Sequence, residues 1–436
     1  MSKLKLGLAS VAIAGMVVGG MPYITKNSID TVITEKQSEL LNKGLSLEVT
    51  KHQGYFDSQR EIKIKFTDTV KILDFISKAI RLDIESVRDL TNNGMIFEDV
   101  SFKGTVKNSN LLPANVKAQI TLDEIPENLK EAMNKNEDLK KFINALLLNV
   151  EFDTSGNIIF VSMNDLIIQN KDVVAKMIKP EVKIDKNIYD TSIQNMTFNI
   201  SKNREYLLIY LDDIKDKIRY DDELNFDDKL TISQLKFNFK EKRRRTQNIK
   251  FESSDNSIFT QMKTANNKLD VKVQYDLNDI LLNVQNTSTN IEQFGLGFTF
   301  KDVKEEPLRL LNETLSDEYK LSRILEPSLQ EIVNNGLSMN INSKIKNVKN
   351  NNISAKEVAI DLSFTLDKND IDKYRGIDYI LKYLSVNGKI SLDNTTVENL
   401  SRTLPIAKYN TNIKKDVSLF DIKFENNHLY INGQKI

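Results

Sequence analysis

Few side chains in this sequence are suited to catalysis, because it contains no cysteine and only two histidines, His52 and His428. The absence of cysteine excludes disulfides, thiolate zinc sites and a cysteine nucleophile. A pair formed by the two histidines and a nucleophile at Ser58 are the candidates for acid–base and hydrolytic chemistry. Neither has an obvious carboxylate or base to complete it, so the sequence favours no catalytic residue.

Charged clusters are the second group of residues that could bind a ligand. Acidic side chains crowd positions 212–228, and the chemistry they suggest is calcium binding. The cluster lacks the ligand spacing and the mid-loop glycine of a calcium loop, so we interpret it as solvated turns. The basic run 242–245 could contact anionic lipid headgroups, but its place between two predicted strands favours a charged hairpin tip. The acidic cluster comprises Asp212, Asp213, Asp216, Asp221, Asp222, Glu223, Asp227 and Asp228.

The overall charge limits the partners. The chain has 61 basic and 61 acidic residues, which gives a formal net charge of zero. Binding to phosphate backbones needs a basic surface, so nucleic acid is not expected as the main partner. With 40% apolar residues among 436, the chain is long and apolar enough to form a packed core.

The N-terminus determines the predicted compartment. Residues 6–24 carry no charge, and as a helix they would span about 28 Å, close to the roughly 30 Å hydrocarbon core of a bilayer. Lys3 and Lys5 precede this segment, whereas acidic residues outnumber basic ones after it. The positive-inside rule therefore keeps the N-terminus in the cytoplasm. We predict a single-pass transmembrane helix in the bacterial inner membrane, with the bulk of the chain in the periplasm.

A cleaved signal peptide and a buried core helix are the alternatives for the same segment. A signal peptide requires a shorter apolar region followed by a small-x-small cleavage site. Ala12-Ile13-Ala14 has this composition but lies too early, and Gly19-Gly20-Met21 matches it only in part. We favour an uncleaved anchor, and whether it is cleaved stays open.

Apolar alternation predicts β-strands in much of the remaining chain. The first two strands are predicted at 45–49 and 62–66, and alternation dominates after residue 190, with its clearest example at 358–366. Val386-Asn387-Gly388-Lys389 is typical of a hairpin turn. Apolar residues spaced three and four apart predict helices at 68–80, 126–147, 164–178, 308–336 and 371–384.

Two glycines share one face of a predicted strand. Gly295 and Gly297 alternate with the apolar residues between Phe294 and Phe300. A polar face opposite an apolar one is typical of antiparallel sheet. The glycines either relieve crowding on the polar face or admit the close approach of another segment.

Two short elements resemble a known family. The second strand is preceded by Gly54-Tyr55-Phe56-Asp57-Ser58, and the C-terminal ENNHLYING ends on Asn432-Gly433. In these elements the chain resembles the YdgA-like family, bacterial cell-envelope proteins of unknown function with an N-terminal membrane segment. It departs from that family where many members carry a His-Gly-Pro stretch. The resemblance implies no catalytic residue; the positions that match, with a structural or unknown role, are Gly54, Tyr55, Phe56, Ser58, Asn432 and Gly433.

These observations predict an α+β fold. A single transmembrane helix would be followed by an elongated domain of curved antiparallel β-sheet with several packed helices. The predicted segments are a cytoplasmic tail (1–5), the anchor (6–24), and a mixed first half (25–190) and a β-rich second half (191–436) of one periplasmic region.

One-sided strands in succession can form an apolar groove. We therefore expect a membrane-anchored periplasmic envelope protein with a non-catalytic binding or assembly role. Its expected partners are the inner membrane, through residues 6–24, and a lipid or another envelope protein. An envelope hydrolase using Ser, Asp or Lys and a structural spacer or sensor are the alternatives. No cofactor or metal is expected, and the oligomeric state is open.

Overall fold

The chain forms two compact units in a computed structural model, residues 1–196 and residues 197–436. The structure describes residues 41–42, 44–53, 57–68, 71, 100–109, 116–124, 130, 134, 148–152, 158–169, 172–202, 205–222, 224–242, 246–285, 287–314, 318–350, 354–370, 381–401, 409, 412–414 and 416–436.

The fold is nearly all antiparallel β-sheet. Strands make up 78% of the structure and helices 12%, with three helices in its described part. The prediction of an α+β fold with several packed helices is therefore wrong. In the strand that covers 173–185, Val174 is followed by Met177 and Ile178, three and four residues later. Such spacing imitates a helical face when each segment is considered alone.

The prediction of a membrane-spanning segment is also corrected. No helix among the described residues is both long and apolar enough to cross a bilayer. This finding overturns the prediction of a single-pass transmembrane helix, and with it the placement in the inner membrane with a cytoplasmic N-terminus. Segments 1–5 and 6–24 lie outside the described residues, and the division predicted at residue 190 remains a prediction.

The first unit consists of short strands. The first six, β1 to β6, pair antiparallel in chain order, and β8 pairs with both β6 and β7. The first two predicted strands are confirmed. The strands are β1 Leu45–Gln53, β2 Asp57–Phe66, β3 Ser101–Ser109, β4 Val116–Glu124, β5 Leu148–Phe152, β6 Ile158–Met163, β7 Leu166–Gln169 and β8 Val173–Asp185, and β9 Ile188–Lys202 crosses the boundary between the units.

Alternate residues of the first strands bury an apolar core. Leu45, Ile64 and Phe66 are almost completely buried, and the rings of Phe66 and Phe102 lie 5.6 Å apart. The helix predicted at 126–147 lies almost wholly outside the described residues.

The helix predicted at 164–178 is wrong, because this segment forms β7 and the first part of β8. Pro180 lies inside β8. On the side of β8 that faces β6 and β7, the pairing is interrupted at residues 178–180, so a proline there breaks no bond to either of these strands. The neighbouring Lys179 has a positive φ of 48°, and its N–H donates to Asp165 Oδ1 at 2.9 Å.

The second unit contains the longest strands. Strands β10 to β17 pair antiparallel in chain order, and β19 pairs with β17. The strands are β10 Glu205–Asp222, β11 Asn225–Lys242, β12 Thr246–Ala265, β13 Lys268–Val284, β14 Thr287–Lys304, β15 Leu337–Asn350, β16 Ser354–Leu366, β17 Leu384–Asp393, β18 Asn412–Lys414, β19 Val417–Glu425, β20 His428–Ile431 and β21 Gln434–Lys435.

Three helices accompany this sheet: α1 Glu305–Thr314, α2 Glu318–Asn335 and α3 Asn394–Ser401. The first two confirm the helical region predicted at 308–336. The second continues through Pro327 and ends before Gly336, whose φ is +78°. Glycine tolerates this left-handed conformation just after a helix.

The hairpin turn predicted around Gly388 is wrong. Gly388 lies in the middle of β17, opposite Leu362 of β16. A Cβ atom at this position would lie 2.1 Å from the carbonyl oxygen of Asp361 and 2.8 Å from Leu362 Cα. The glycine is therefore required because two strand backbones approach closely, and not because the chain turns.

A line of left-handed residues crosses the long strands. Asp213, Asp255 and Asp279 have φ values of 45°, 47° and 48°. Asp213 Oδ2 accepts a hydrogen bond from Ser233 Oγ at 3.1 Å, and Asp279 Oδ2 accepts one from Ser254 Oγ at 2.7 Å. Aspartate tolerates this conformation better than most residues, which explains why this residue type recurs at the line.

Candidate functional site

The registers of the second unit place mainly apolar side chains in rows that cross the strands. Because side chains alternate between the two faces of a sheet, residues paired in register share a face. Two adjacent rows extend from β12 to β16, and we call them together the open strip. The first row is Thr260, Val273, Phe298, Ile341 and Leu362, and the second is Ile258, Tyr275, Leu296, Ser343 and Ile360.

Helices cover the same apolar face beside the open strip. Leu308 of α1 and Ile332 of α2 pack with Leu269 and Val303, and these last two are 0% and 6% exposed. Nearer the C-terminus, Val397 of α3 packs in a second buried cluster. Between these two clusters the face is less covered.

Side chains of the open strip remain in partial contact with solvent. Every member is half-buried except Tyr275, which is 38% exposed. Four strand spacings separate β12 from β16, and at about 4.8 Å each the strip is about 19 Å long. It is thus an elongated apolar surface.

The opposite face of these strands is polar. Gly295 and Gly297 lie on it, as predicted, opposite Lys344 and Asn342. A Cβ atom on Gly297 would lie 2.4 Å from Asn342 Oδ1. The glycine therefore leaves room for a neighbouring side chain, which is the relief of crowding that the sequence suggested. The apolar and polar faces of the sheet are clearly distinct.

Two aspartates interrupt the apolar face where its rows reach β10 and β11. Asp228 lies opposite Thr260 of the first row. Asp216 lies opposite Leu230, which itself pairs with Ile258 of the second row. Asp216 and Asp228 are therefore diagonal neighbours on one face of adjacent strands, and we call them the carboxyl pair.

The surroundings of the carboxyl pair disfavour charge. The Oδ1 atoms of Asp216 and Asp228 are buried and lack a hydrogen-bond partner. The pKa of Asp216 is raised from 3.8 to about 7, first by burial and second by hydrogen bonding and charge at Asp228. Asp216 therefore stays largely protonated at mildly acidic pH and loses its proton around neutral pH, whereas an isolated aspartate would already have lost it.

The prediction that residues 212–228 form solvated turns is wrong for most of the cluster. Nearly all of these residues lie within β10 and β11, and the turn between the strands begins at Asp222. There Asp222 Oδ1 accepts the N–H of Leu224 at 2.8 Å, which together with Asn225 lowers the pKa of Asp222. Among the described residues, no three metal-binding side chains converge.

A signal for the carboxyl pair is present in the sequence but was missed. Asp216 stands between Ile214 and Ile218, and Asp228 stands between Phe226 and Leu230. Each aspartate thus occupies an apolar position of an alternating strand. The crowding of other acids nearby concealed this pattern.

The basic run 242–245 begins at the last residue of β11, where a hairpin is expected. Lys242 is the last residue of β11 and pairs with Thr246, the first residue of β12. Residues 243–245 between them lie outside the described part of the chain.

The residues that carried the family resemblance are only partly described. Gly54, Tyr55 and Phe56 lie outside the described residues, and Ser58 lies in β2 opposite Gln53. The resemblance itself stays a prediction.

The C-terminal pair forms a tight turn between β20 and β21. Asn432 and Gly433 have φ values of 48° and 77°, as expected for a two-residue hairpin. Asn432 Nδ2 donates to the carbonyl oxygen of Tyr409 at 2.6 Å, and its Oδ1 accepts the N–H of Asp421 at 2.7 Å. These bonds give Asn432 a structural role.

The two histidines lie in different units. His52 is in β1, opposite Gln59, and His428 is in β20, opposite Glu425. The hypothesis of a histidine pair gains no support from these positions.

Comparison with known proteins adds no assignment. The chain matches no family model, no curated protein and no solved structure. The geometry of the open strip and the carboxyl pair is therefore the basis for the proposals that follow.

Proposed function

We propose that this protein binds a long-chain amphiphile, such as a lipid, with the acyl chain lying along the open strip. The observation that supports this most is a surface about 19 Å long by strand spacing, on which eight of the ten side chains are apolar and all remain partly in contact with solvent. An extended acyl chain has a comparable length and needs no polar partner along it. The role is binding without catalysis.

The expected affinity follows from the apolar contact. Each methylene removed from water contributes about 0.8 kcal/mol. Ten covered methylenes would contribute about 8 kcal/mol, which corresponds to a dissociation constant near micromolar before the cost of association is subtracted. Binding of this strength is measurable with the purified protein.

The chain offers a direct reporter, because it contains no tryptophan. Tyr275→Trp places a single indole on the open strip, at a site that is already aromatic and 38% exposed. Phe259→Trp provides the matched control on the polar face, where Phe259 pairs with Gln274 and lies beneath Lys272 Nζ, 5.5 Å from the ring centre.

The test is quenching of these indoles by lipids with brominated acyl chains, titrated into the full-length protein. Quenching in Tyr275→Trp, with little in Phe259→Trp, is the result we expect. A second variant, Phe298→Glu in the Tyr275→Trp background, should abolish the quenching, whereas Thr299→Glu on the polar face should preserve it. Equal quenching of both indoles, or none in either, would refute the proposal. Crosslinking of position 275 to a protein segment instead of a lipid would also overturn it.

A further inference from the structure

The carboxyl pair stands at one end of the surface assigned to ligand binding. The open strip continues from β12 onto β11 and β10, and the continuation contains Asp228 and Asp216 at positions that are otherwise apolar. Their neighbours in register are Ile218, Leu230 and Thr260. A ligand that extends along the strip onto these strands would cover both carboxyl groups.

Ionising Asp216 beside Asp228 is costly in these surroundings. Their Oδ1 atoms are removed from solvent and accept no hydrogen bond. Burial and mutual repulsion each disfavour the second negative charge. A proton held on Asp216 avoids both penalties.

The basic side chains that flank the carboxyl pair on β10 and β11 lie on the other face of the sheet. The cations that flank it on β10 and β11 alternate with it, so they occupy the polar face. On β12 the stretch from Ile258 to Met262 carries no charge, and on β9 the charged residues are Asp190 and Lys202. Burial and Asp228 account for the perturbed titration of Asp216. The flanking charged residues are Lys215, Lys217, Arg219, Asp227 and Lys229.

We propose that Asp216, beside Asp228, makes occupation of the open strip dependent on pH, because the bound state retains the proton of Asp216 and its release to solvent weakens binding. This inference rests on the proposed function. A bound apolar chain removes further water from the pair and so strengthens the preference for the protonated state. One linked proton allows the affinity to fall by up to about tenfold for each pH unit above the midpoint of titration.

The experiment measures quenching of Tyr275→Trp by a brominated long-chain alcohol between pH 5.5 and pH 8.5. The alcohol has no titratable group in this range, so any pH dependence comes from the protein. We expect the dissociation constant to rise at least fivefold between pH 6 and pH 8. Adding Asp216→Asn should make the affinity nearly independent of pH. Adding Asp227→Asn, on the polar face of the same strand as Asp228 and bonded to Gln261, should leave the dependence unchanged.

The outcomes separate this inference from the proposed function. Binding that is equally strong at pH 6 and pH 8 would refute the pH dependence and leave lipid binding intact. Retention of the pH dependence in Asp216→Asn would also refute it. Absence of binding at every pH would refute both proposals. Carboxyl ¹³C resonances of the unliganded protein give a check without ligand: an aspartate titrating near neutral pH supports the inference, and its absence overturns it.

Discussion

Replacing Asp216 by asparagine removes a group that penalises the folded state at neutral pH. The pKa of Asp216 is about 7 in the folded protein, against 3.8 for an ordinary aspartate. Between these values the folded chain holds one more proton than the unfolded chain, so stability falls as pH rises. The stabilisation relative to high pH that comes from this extra proton is fully present below pH 3.8 and is lost as the pH rises through about 7.

The size of this effect follows from the difference between the two pKa values. Each pKa unit corresponds to about 1.4 kcal/mol, which gives an upper limit of about 4 kcal/mol over the whole range. About two-thirds of it falls between pH 5 and pH 8. Because Asp216 keeps some contact with solvent, we halve the value for screening and expect about 1.5 kcal/mol in that window.

Urea unfolding of the original chain, Asp216→Asn and Asp227→Asn at pH 5 and pH 8 measures this difference. The original chain and Asp227→Asn should each lose about 1.5 kcal/mol on going to pH 8, and Asp216→Asn should lose much less. The lowered pKa values of Asp213 and Asp393 do not interfere, because those groups titrate below pH 4. The reasoning is refuted if Asp216→Asn shows the same loss as the original chain, or if the original chain becomes more stable at pH 8.

Three further substitutions test the fold by urea unfolding. Gly388→Ala should cost about 3 kcal/mol, because the added Cβ meets the backbone of β16. Gly295→Ala should cost less than about 1 kcal/mol, because the nearest atom to its Cβ is a side-chain oxygen at 3.2 Å and the nearest backbone atom lies at 3.8 Å. Equal costs would contradict this account. Asp255→Val should cost about 1–2 kcal/mol more than Asp255→Gly, because φ at this position is 47° and a β-branched side chain is strained there. A larger cost for Asp255→Gly would contradict this prediction. Asp393→Ala should cost about 2–4 kcal/mol, since this buried carboxylate accepts the N–H of Thr396 at 3.0 Å and caps α3; a cost below about 1 kcal/mol would count against that role.

The role of Asp393 also predicts a response to acid. Burial alone would raise its pKa, but hydrogen bonds from Thr396 and from the N–H groups of Lys356 and Glu357 lower it below 3.8. A carboxylate with a lowered pKa stabilises the fold at pH values above its ordinary pKa. This stabilisation is lost as the pH falls through the lowered pKa. Unfolding measured between pH 5 and pH 2 should therefore show a larger acid-induced loss in the original chain than in Asp393→Asn. Equal losses would contradict this role.

Features governed by local chain geometry were predictable from the sequence. Alternation in 358–366 specified a strand, because a sheet with one packed face requires a period of two. The helical region that ends before Gly336 was found for a similar reason, since glycine tolerates the conformation that ends a helix. In both cases the signal comes from residues adjacent in the chain.

The sequence by itself thus determined where single strands and turns form, and the tertiary structure decided what they do together. Gly388 looks like a turn residue until β16 lies beside it, because the close approach comes from a segment more than twenty residues away. Pro180 lies in a strand at the point where the pairing of β8 passes from β7 to β6. Asp216 and Asp228 became a pair only through the register of β10 and β11. A carboxyl group's proton affinity depends on the water and charges around it, and these are fixed by residues that chain order does not place nearby.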